Sequence, residues 1–237
     1  MGDLSKRMPC HPGPSPTGGP GLKKTTLALV AGAGYFGARA CRVLQASRPH
    51  WRLLVVDLEL TRLGPLASGN TEVRQADALE LLEEIMDRGS AKWIVPAVPF
   101  HLAHAWIMRT LSRHRAVKKA ELPQGLPVPN PLMGPTGDLY TSYATFRCPE
   151  HCTEPKQTCS VTGLPRPAPL YDVICSLKVP GYEVAGLRSR QLGPGVGGIL
   201  AKDMLSLRGK VMEKPGRWIL YTACRCHGVL SGLEVMA

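Results

Sequence analysis

The stretch LALVAGAGYFGARACRVLQ, residues 27–45, limits what this chain can fold into more than any other feature. The apolar run TTLALVAG ends on Gly32, two more glycines follow at Gly34 and Gly37, and an amphipathic pattern then runs towards Pro49. Phe36, Ala40, Val43 and Leu44 share one face at helical spacing. A buried strand that turns on glycine directly into a helix calls for a parallel neighbour, because the next strand must return across that helix.

The alternation then repeats. WRLLVVDLE reads as a second buried strand ending at Asp57, and residues 58–67 as a short helix closed at Gly69-Asn70. EVRQAD is a third strand, ALELLEEIMDRG a helix stopped by Gly89, KWIVPAV a fourth strand and HLAHAWIMRTL another helix. Strand and helix in this order imply right-handed crossovers, so the expected class is α/β with a Rossmann-like parallel sheet.

Beyond residue 120 the texture changes. A Pro- and Gly-rich connector, LPQGLPVPNPLMGPTGD, leads to a strand in LYTSYATFR and then a loop bearing cysteines. LYDVICSL reads as a short helix, YEVAGLRSRQL as a strand, GPGVGG as a turn, ILAKDMLSLRG as a helix and RWILYTAC as a final strand. This late β-α-β run could extend the first sheet, with the cysteine segment as an insertion, or form a small second domain; we expect extension, since such strands need cover on both faces. The expected organisation is a disordered tail over 1–22, a dinucleotide-binding domain over 23–120, and the cysteine-bearing segment with its α/β extension over 121–237.

With 44% hydrophobic and 20% charged residues, the 237-residue chain has the composition of a folded protein with a real core. Residues 1–22 lack the continuous apolar stretch of a signal peptide. The longest apolar run, WIVPAVPFHLAHAWIM, is interrupted by Pro96, Pro99, His101 and His104 and is too short to span a bilayer. A cytoplasmic location without membrane insertion is expected. The formal charge of +11 favours acidic partners in general. The basic cluster Arg109, Arg113, Arg115, Lys118 and Lys119 has no interleaved aromatics, however, and reads as a solvated helix end rather than a nucleic-acid surface.

Gly32, Gly34 and Gly37 supply G-x-G-x-x-G. The first permits the tight turn, the second lets backbone approach a pyrophosphate, and the third lets helix pack closely on strand. Asp57, 20 residues after Gly37, stands where a carboxylate binds the adenosine ribose hydroxyls. A carboxylate there disfavours a 2′-phosphate, so NAD(H) is expected over NADP(H), with Arg62 close enough to soften the preference. The plainer alternative is a strand-to-helix turn whose glycines serve geometry alone.

LALVAGAGYFG, LLVVDLE, VRQADALELL and WIVPAVPFHLAHAWI together resemble the NAD-binding domains of saccharopine-dehydrogenase-like proteins. They resemble equally the RCK-type regulatory domains of potassium-uptake systems. The resemblance covers residues 25–110. It implies a nucleotide held at the Gly32–Gly37 turn with its Tyr35 and Phe36, Asp77 near the adenine, and the Pro96–Pro99 turn beside the nicotinamide. The remainder departs from both groups, so neither substrate nor catalytic residues carry over.

Cys148, Cys152 and Cys159 form C-x3-C-x6-C, and TACRCHG adds Cys224, Cys226 and His227. Three ligands from one loop and a fourth from a distant strand would close a four-coordinate site. An iron–sulfur cluster and zinc both fit this donor set, and a redox-sensing thiol group or unrelated loop cysteines are the alternatives. His101 and His104 share a helix face near the sheet edge, and His101 is the candidate acid–base group. Gly197 and Gly198 are candidates for holding an anion. Two functions remain open from sequence: an NAD(H)-dependent redox enzyme with a metal site, or a non-catalytic NAD(H) sensor with a structural one. Expected partners are the nucleotide and a small-molecule substrate or redox partner protein, and a homo-oligomer is compatible.

Overall fold

The computed structural model describes residues 25–236, so the tail expected over 1–22 lies outside the described residues. The first half follows the alternation in the sequence. Strands β1 (Leu27–Ala31), β2 (Arg52–Asp57), β3 (Thr71–Gln75) and β4 (Trp93–Pro96) pair in parallel in the order β3-β2-β1-β4. Helices α1 (Tyr35–Ser47), α2 (Leu60–Leu63), α3 (Ala78–Asp87) and α4 (Leu102–Leu111) connect and follow them. This order puts β1 inside the sheet and the glycine turn at its carboxyl edge, where open α/β sheets bind ligands.

The second half supplies β5 (Val117–Ala120), β6 (Leu132–Met133), β7 (Leu139–Ser142), α5 (Leu170–Cys175), β8 (Glu183–Arg188), β9 (Arg190–Gly193), β10 (Val196–Leu200), α6 (Ala201–Glu213), β11 (Gly216–Ala223) and β12 (His227–Val235). A second mixed sheet runs β6-β7-β12-β11-β8, with β5 also paired to β12. Its one parallel pairing is β8 with β11.

The late segments do not extend the first sheet as a β-α-β unit. The β9–β10 hairpin joins that sheet antiparallel, with Ile199 opposite Ile94, and α6 then carries the chain across to β11 in the second sheet. Gly197 and Gly198 lie inside β10 rather than in an anion-holding turn. A Cβ at Gly198 would come within 2.4 Å of Leu192, and one at Gly197 within 2.5 Å of the Ser189 hydroxyl. Close strand packing accounts for both glycines. RWILYTAC is not the last strand either, since the chain reverses at Cys224–Cys226 into β12.

Successive residues of β1 serve opposite faces, which is why the strand is apolar throughout. Ala28 and Val30 pack with Ala40, Cys41 and Leu44 of α1. Leu29 and Ala31 pack into a layer that includes Leu82, Trp106, Met204 and Trp218. That layer, built by α3, α4 and α6, separates the two sheets, and α5 covers the far side of the second. The basic run after α4 is largely paired: Arg109 and Arg113 both reach Glu83, Lys118 reaches Glu234, and Lys119 reaches Asp138. Among the described residues no helix is long and apolar enough to cross a membrane.

Candidate functional site

Two of the three motif glycines are required by the fold itself. Gly32 has φ +103°, and a Cβ there would stand 2.6 Å from the Ala97 carbonyl oxygen. A Cβ at Gly37 would stand 1.9 Å from the Gly32 carbonyl oxygen. Gly34 differs. Its φ of −64° suits any residue, and a Cβ built there meets nothing within 4 Å. Gly34 is also the N-cap of α1, no side chain caps the helix, and its first turn holds no acid. The opening amides and the positive end of the helix dipole are therefore left to whatever approaches Gly34.

Asp57 ends β2 against this turn. One carboxylate oxygen accepts the Ala33 amide at 2.7 Å, and the other accepts the Glu59 amide at 2.9 Å with Arg62 at 3.7 Å. Burial pushes the carboxyl pKa up, but these amides and the guanidinium outweigh it and leave the group below its ordinary value. Pro96 lies opposite Ala31 in register, and the following Ala97 packs on Gly32. Asp77 lies on the same sheet edge, beyond β2, where its carboxylate caps α3 by accepting the Leu79 and Glu80 amides. Tyr35 and Phe36 are exposed, 56% and 68%.

The acid–base role expected of His101 does not fit its position. The ring is buried, with Nδ1 2.8 Å from the Ser231 hydroxyl and Nε2 2.9 Å from that of Thr222. Ser231 in turn donates to Asp138 at 2.6 Å, so His101 carries its proton on Nδ1 and accepts from Thr222. Burial, and then His104, hold its pKa down to about 3. His104 is buried alongside and donates from Nε2 to the Gly232 carbonyl at 3.0 Å. Both histidines fasten α4 to β11 and β12, and neither nitrogen of His101 is open to a substrate.

The five expected cysteines and His227 share the wall of one cavity of about 760 Å³. Cys148 Sγ lies 3.6 Å from His227 Nε2, and Cys224 Sγ lies 3.8 Å from His227 Nδ1. Three of the sulfurs accept backbone amides from just downstream. Cys152 accepts from Glu154, and Cys224 from both Cys226 and His227, each at 3.4 Å. Cys159 is held by the Thr162 and Val161 amides and the Thr162 hydroxyl, which bring its pKa down to about 7. Burial, reinforced by Glu154, pushes Cys224 the other way, to about 12. Cys226 accepts from the Arg166 guanidinium. All five are free thiols, and among the described residues no three His, Cys, Asp or Glu side chains already meet around one point that would hold a metal ion.

The cavity joins the two candidate regions. Phe36 and Arg39 of α1 form part of it, as do Gly195 of the β9–β10 turn and Val196 and Gly197 at the start of β10. The Tyr35 hydroxyl donates to the Glu150 carboxylate, and Arg39 donates to the Glu150 carbonyl. Glu150, Arg39 and Arg166 had no marking motif in the sequence. They emerge only once residues more than 50 positions apart are brought together.

Residues 103–236 match a family described as "Uncharacterized protein, C-terminal domain". The chain belongs to that family. The matched segment starts in α4 and takes in the cysteine loop, the Cys224–His227 turn and the whole second sheet. An uncharacterized protein of Archaeoglobus fulgidus is 26% identical over 221 residues, which cover 87% of this chain and 98% of that relative. At that coverage the likeness includes the glycine-turn half as well. No solved structure matches the chain.

Proposed function

We propose that the protein binds NAD(H) at the Gly32–Gly37 turn and acts as an oxidoreductase on a small molecule held in the cysteine-lined cavity. Gly34 carries the reading. The fold has room for a side chain there and no need of glycine, yet the backbone is bare at the uncapped start of a helix. A pyrophosphate is the group that such a backbone accommodates. With the adenosine ribose at Asp57 and the pyrophosphate over Gly34, the nicotinamide points towards β4 and β10. The cavity takes in Phe36 and Arg39 of α1 and Val196 and Gly197 of β10. NAD(H) supplies hydride exchange, and the chain's part is to orient the ring and exclude water.

The links from Tyr35 and Arg39 to Glu150 favour a second reading, a non-catalytic NAD(H) sensor in which nucleotide occupancy resets the cysteine loop. Titration with NADH, followed by nicotinamide fluorescence, tests the shared premise. Wild type should bind saturably. Gly34→Ala should keep the wild-type thermal midpoint while binding at least about tenfold more weakly, the cost of a Cβ against the pyrophosphate. Equal binding by the variant, or none by wild type, overturns the proposal. Stoichiometric binding without oxidation of NADH by any carbonyl substrate would favour the sensor.

A further inference from the structure

We propose that Cys148, Cys152, Cys159 and His227 bind one zinc ion at the cavity wall, closing the cysteine loop onto the β11–β12 turn. The site goes beyond the nucleotide reading and does not depend on it. Zinc bonds of roughly 2.3 Å to sulfur and 2.0–2.1 Å to nitrogen, opened to the tetrahedral angle, set the two ligand atoms about 3.6 Å apart. Cys148 Sγ and His227 Nε2 stand 3.6 Å apart.

His227 Nδ1 faces Cys224 Sγ at 3.8 Å and Nε2 faces Cys148, so with the proton on Nδ1 the Nε2 lone pair is aimed at Cys148. A ligating histidine is commonly held this way, by a partner on its other nitrogen. Cys224 stands on the Nδ1 side of the ring, away from a metal held at Nε2, which makes it the positioning residue and not a ligand.

Cys152 and Cys159 are the remaining ligands. Both line the same cavity wall as Cys148 and His227. Each sits in a formed turn: Cys152 donates its amide to the Pro149 carbonyl, and Cys159 exchanges backbone bonds with Leu164 and Gly163. The Glu154 amide donates to the Cys152 sulfur, as second-shell donors do at metal sites. These two sulfurs must move onto the metal, since among the described residues no three such side chains already meet around one point. Cys226 is excluded because the Arg166 guanidinium occupies its sulfur. Three thiolates and zinc carry one net negative charge, and binding releases the three thiol protons. Arg166, whose buried Nε has no hydrogen-bond partner, is the cation placed to balance that charge.

The full-length protein, purified without chelators, should contain one zinc per chain and be colourless. Replacing zinc with cobalt(II) should give tetrahedral ligand-field bands and thiolate charge transfer. His227→Ala should lose zinc affinity by more than about tenfold. Cys226→Ser should keep one zinc and an unchanged cobalt spectrum. His227→Cys preserves four donors, so it should fold, retain zinc and add one thiolate to the charge-transfer band. A brown protein with iron and acid-labile sulfide would overturn the zinc assignment. So would zinc lost from Cys226→Ser, zinc kept undiminished in His227→Ala, or a wild-type protein holding no metal. NADH titration of the same samples reports separately on the nucleotide site.

Discussion

Arg39, one turn into the helix that follows the glycine turn, holds Glu150 of the cysteine loop by both its backbone carbonyl and its carboxylate. The same guanidinium donates to the Pro194 carbonyl at 2.9 Å and to that of Gly195 at 3.1 Å. One side chain thus ties three segments that are more than 40 residues apart in sequence. Arg39→Ala strands those carbonyls, at a cost of about 1–3 kcal/mol. The loss should be local. In hydrogen exchange, amides around Cys148–Cys159 and Gly195 should lose protection while those of β1 and β11 keep theirs. Uniform loss across both sheets would contradict this view of Arg39.

The glycines separate in a second experiment. Gly37→Ala drives a Cβ to 1.9 Å from the Gly32 carbonyl oxygen, so strand and helix must part. Gly32→Ala adds a strained φ of +103° to a contact with Ala97. Both should lower the urea midpoint, by roughly 1–3 kcal/mol in stability, as overpacking does. Gly34→Ala should lie within about 0.5 kcal/mol of wild type, as surface changes without such contacts do.

Asp57 sets a third expectation. Asp57→Ala removes the acceptor of the Ala33 and Glu59 amides and frees Arg62. Binding of NADH should weaken by about tenfold, the equivalent of one lost charge-assisted hydrogen bond. NADPH should bind the variant better than it binds wild type, since a guanidinium replaces a carboxylate at the 2′-phosphate. Parallel titrations with the two nucleotides measure the ratio.

Stability should depend on pH through the buried histidines. An unfolded histidine takes up its proton near pH 6.5, whereas His101 in the folded chain does so only at about 3. Between those values the unfolded state binds more protons, so stability rises with pH and falls on acidification. The slope from His101 is about 1.4 kcal/mol per pH unit, and His104, also shifted downward, adds to it with the same sign. Urea unfolding from pH 6.5 down to 4.5 should show this slope. His101→Asn, which does not titrate, should reduce it by about that amount per unit.

The first sheet was readable in the sequence because its strands are buried on both faces and its helices are punctuated. The helix expected between the glycine turn and Pro49 forms over Tyr35–Ser47. Its buried stripe is Gly37, Ala40, Cys41 and Leu44, and Phe36 turns outward to the cavity. The cysteines were legible as a set by their spacing, and the structure brings them to one wall. Long-range partnerships were not legible. GPGVGG does turn, at Pro194–Gly195, but its last two glycines lie within β10, where Gly198 admits Leu192. His101 looks like an acid–base group until Ser231 and Thr222, some 120 to 130 residues away, close on its ring. Pairings at such separation leave no local periodicity to read.

The antiparallel seating of β10 on β4 has a consequence for the order in which the molecule is made. Roughly a hundred residues separate the two strands, so β4 emerges from the ribosome as an open, apolar border long before its neighbour exists. Closing so long a loop is slow, and an unpaired border invites association with other nascent chains. A fragment ending after α4 would keep that border permanently. The glycine-turn half therefore reaches its finished form only after β10, ending at Leu200, has been synthesised.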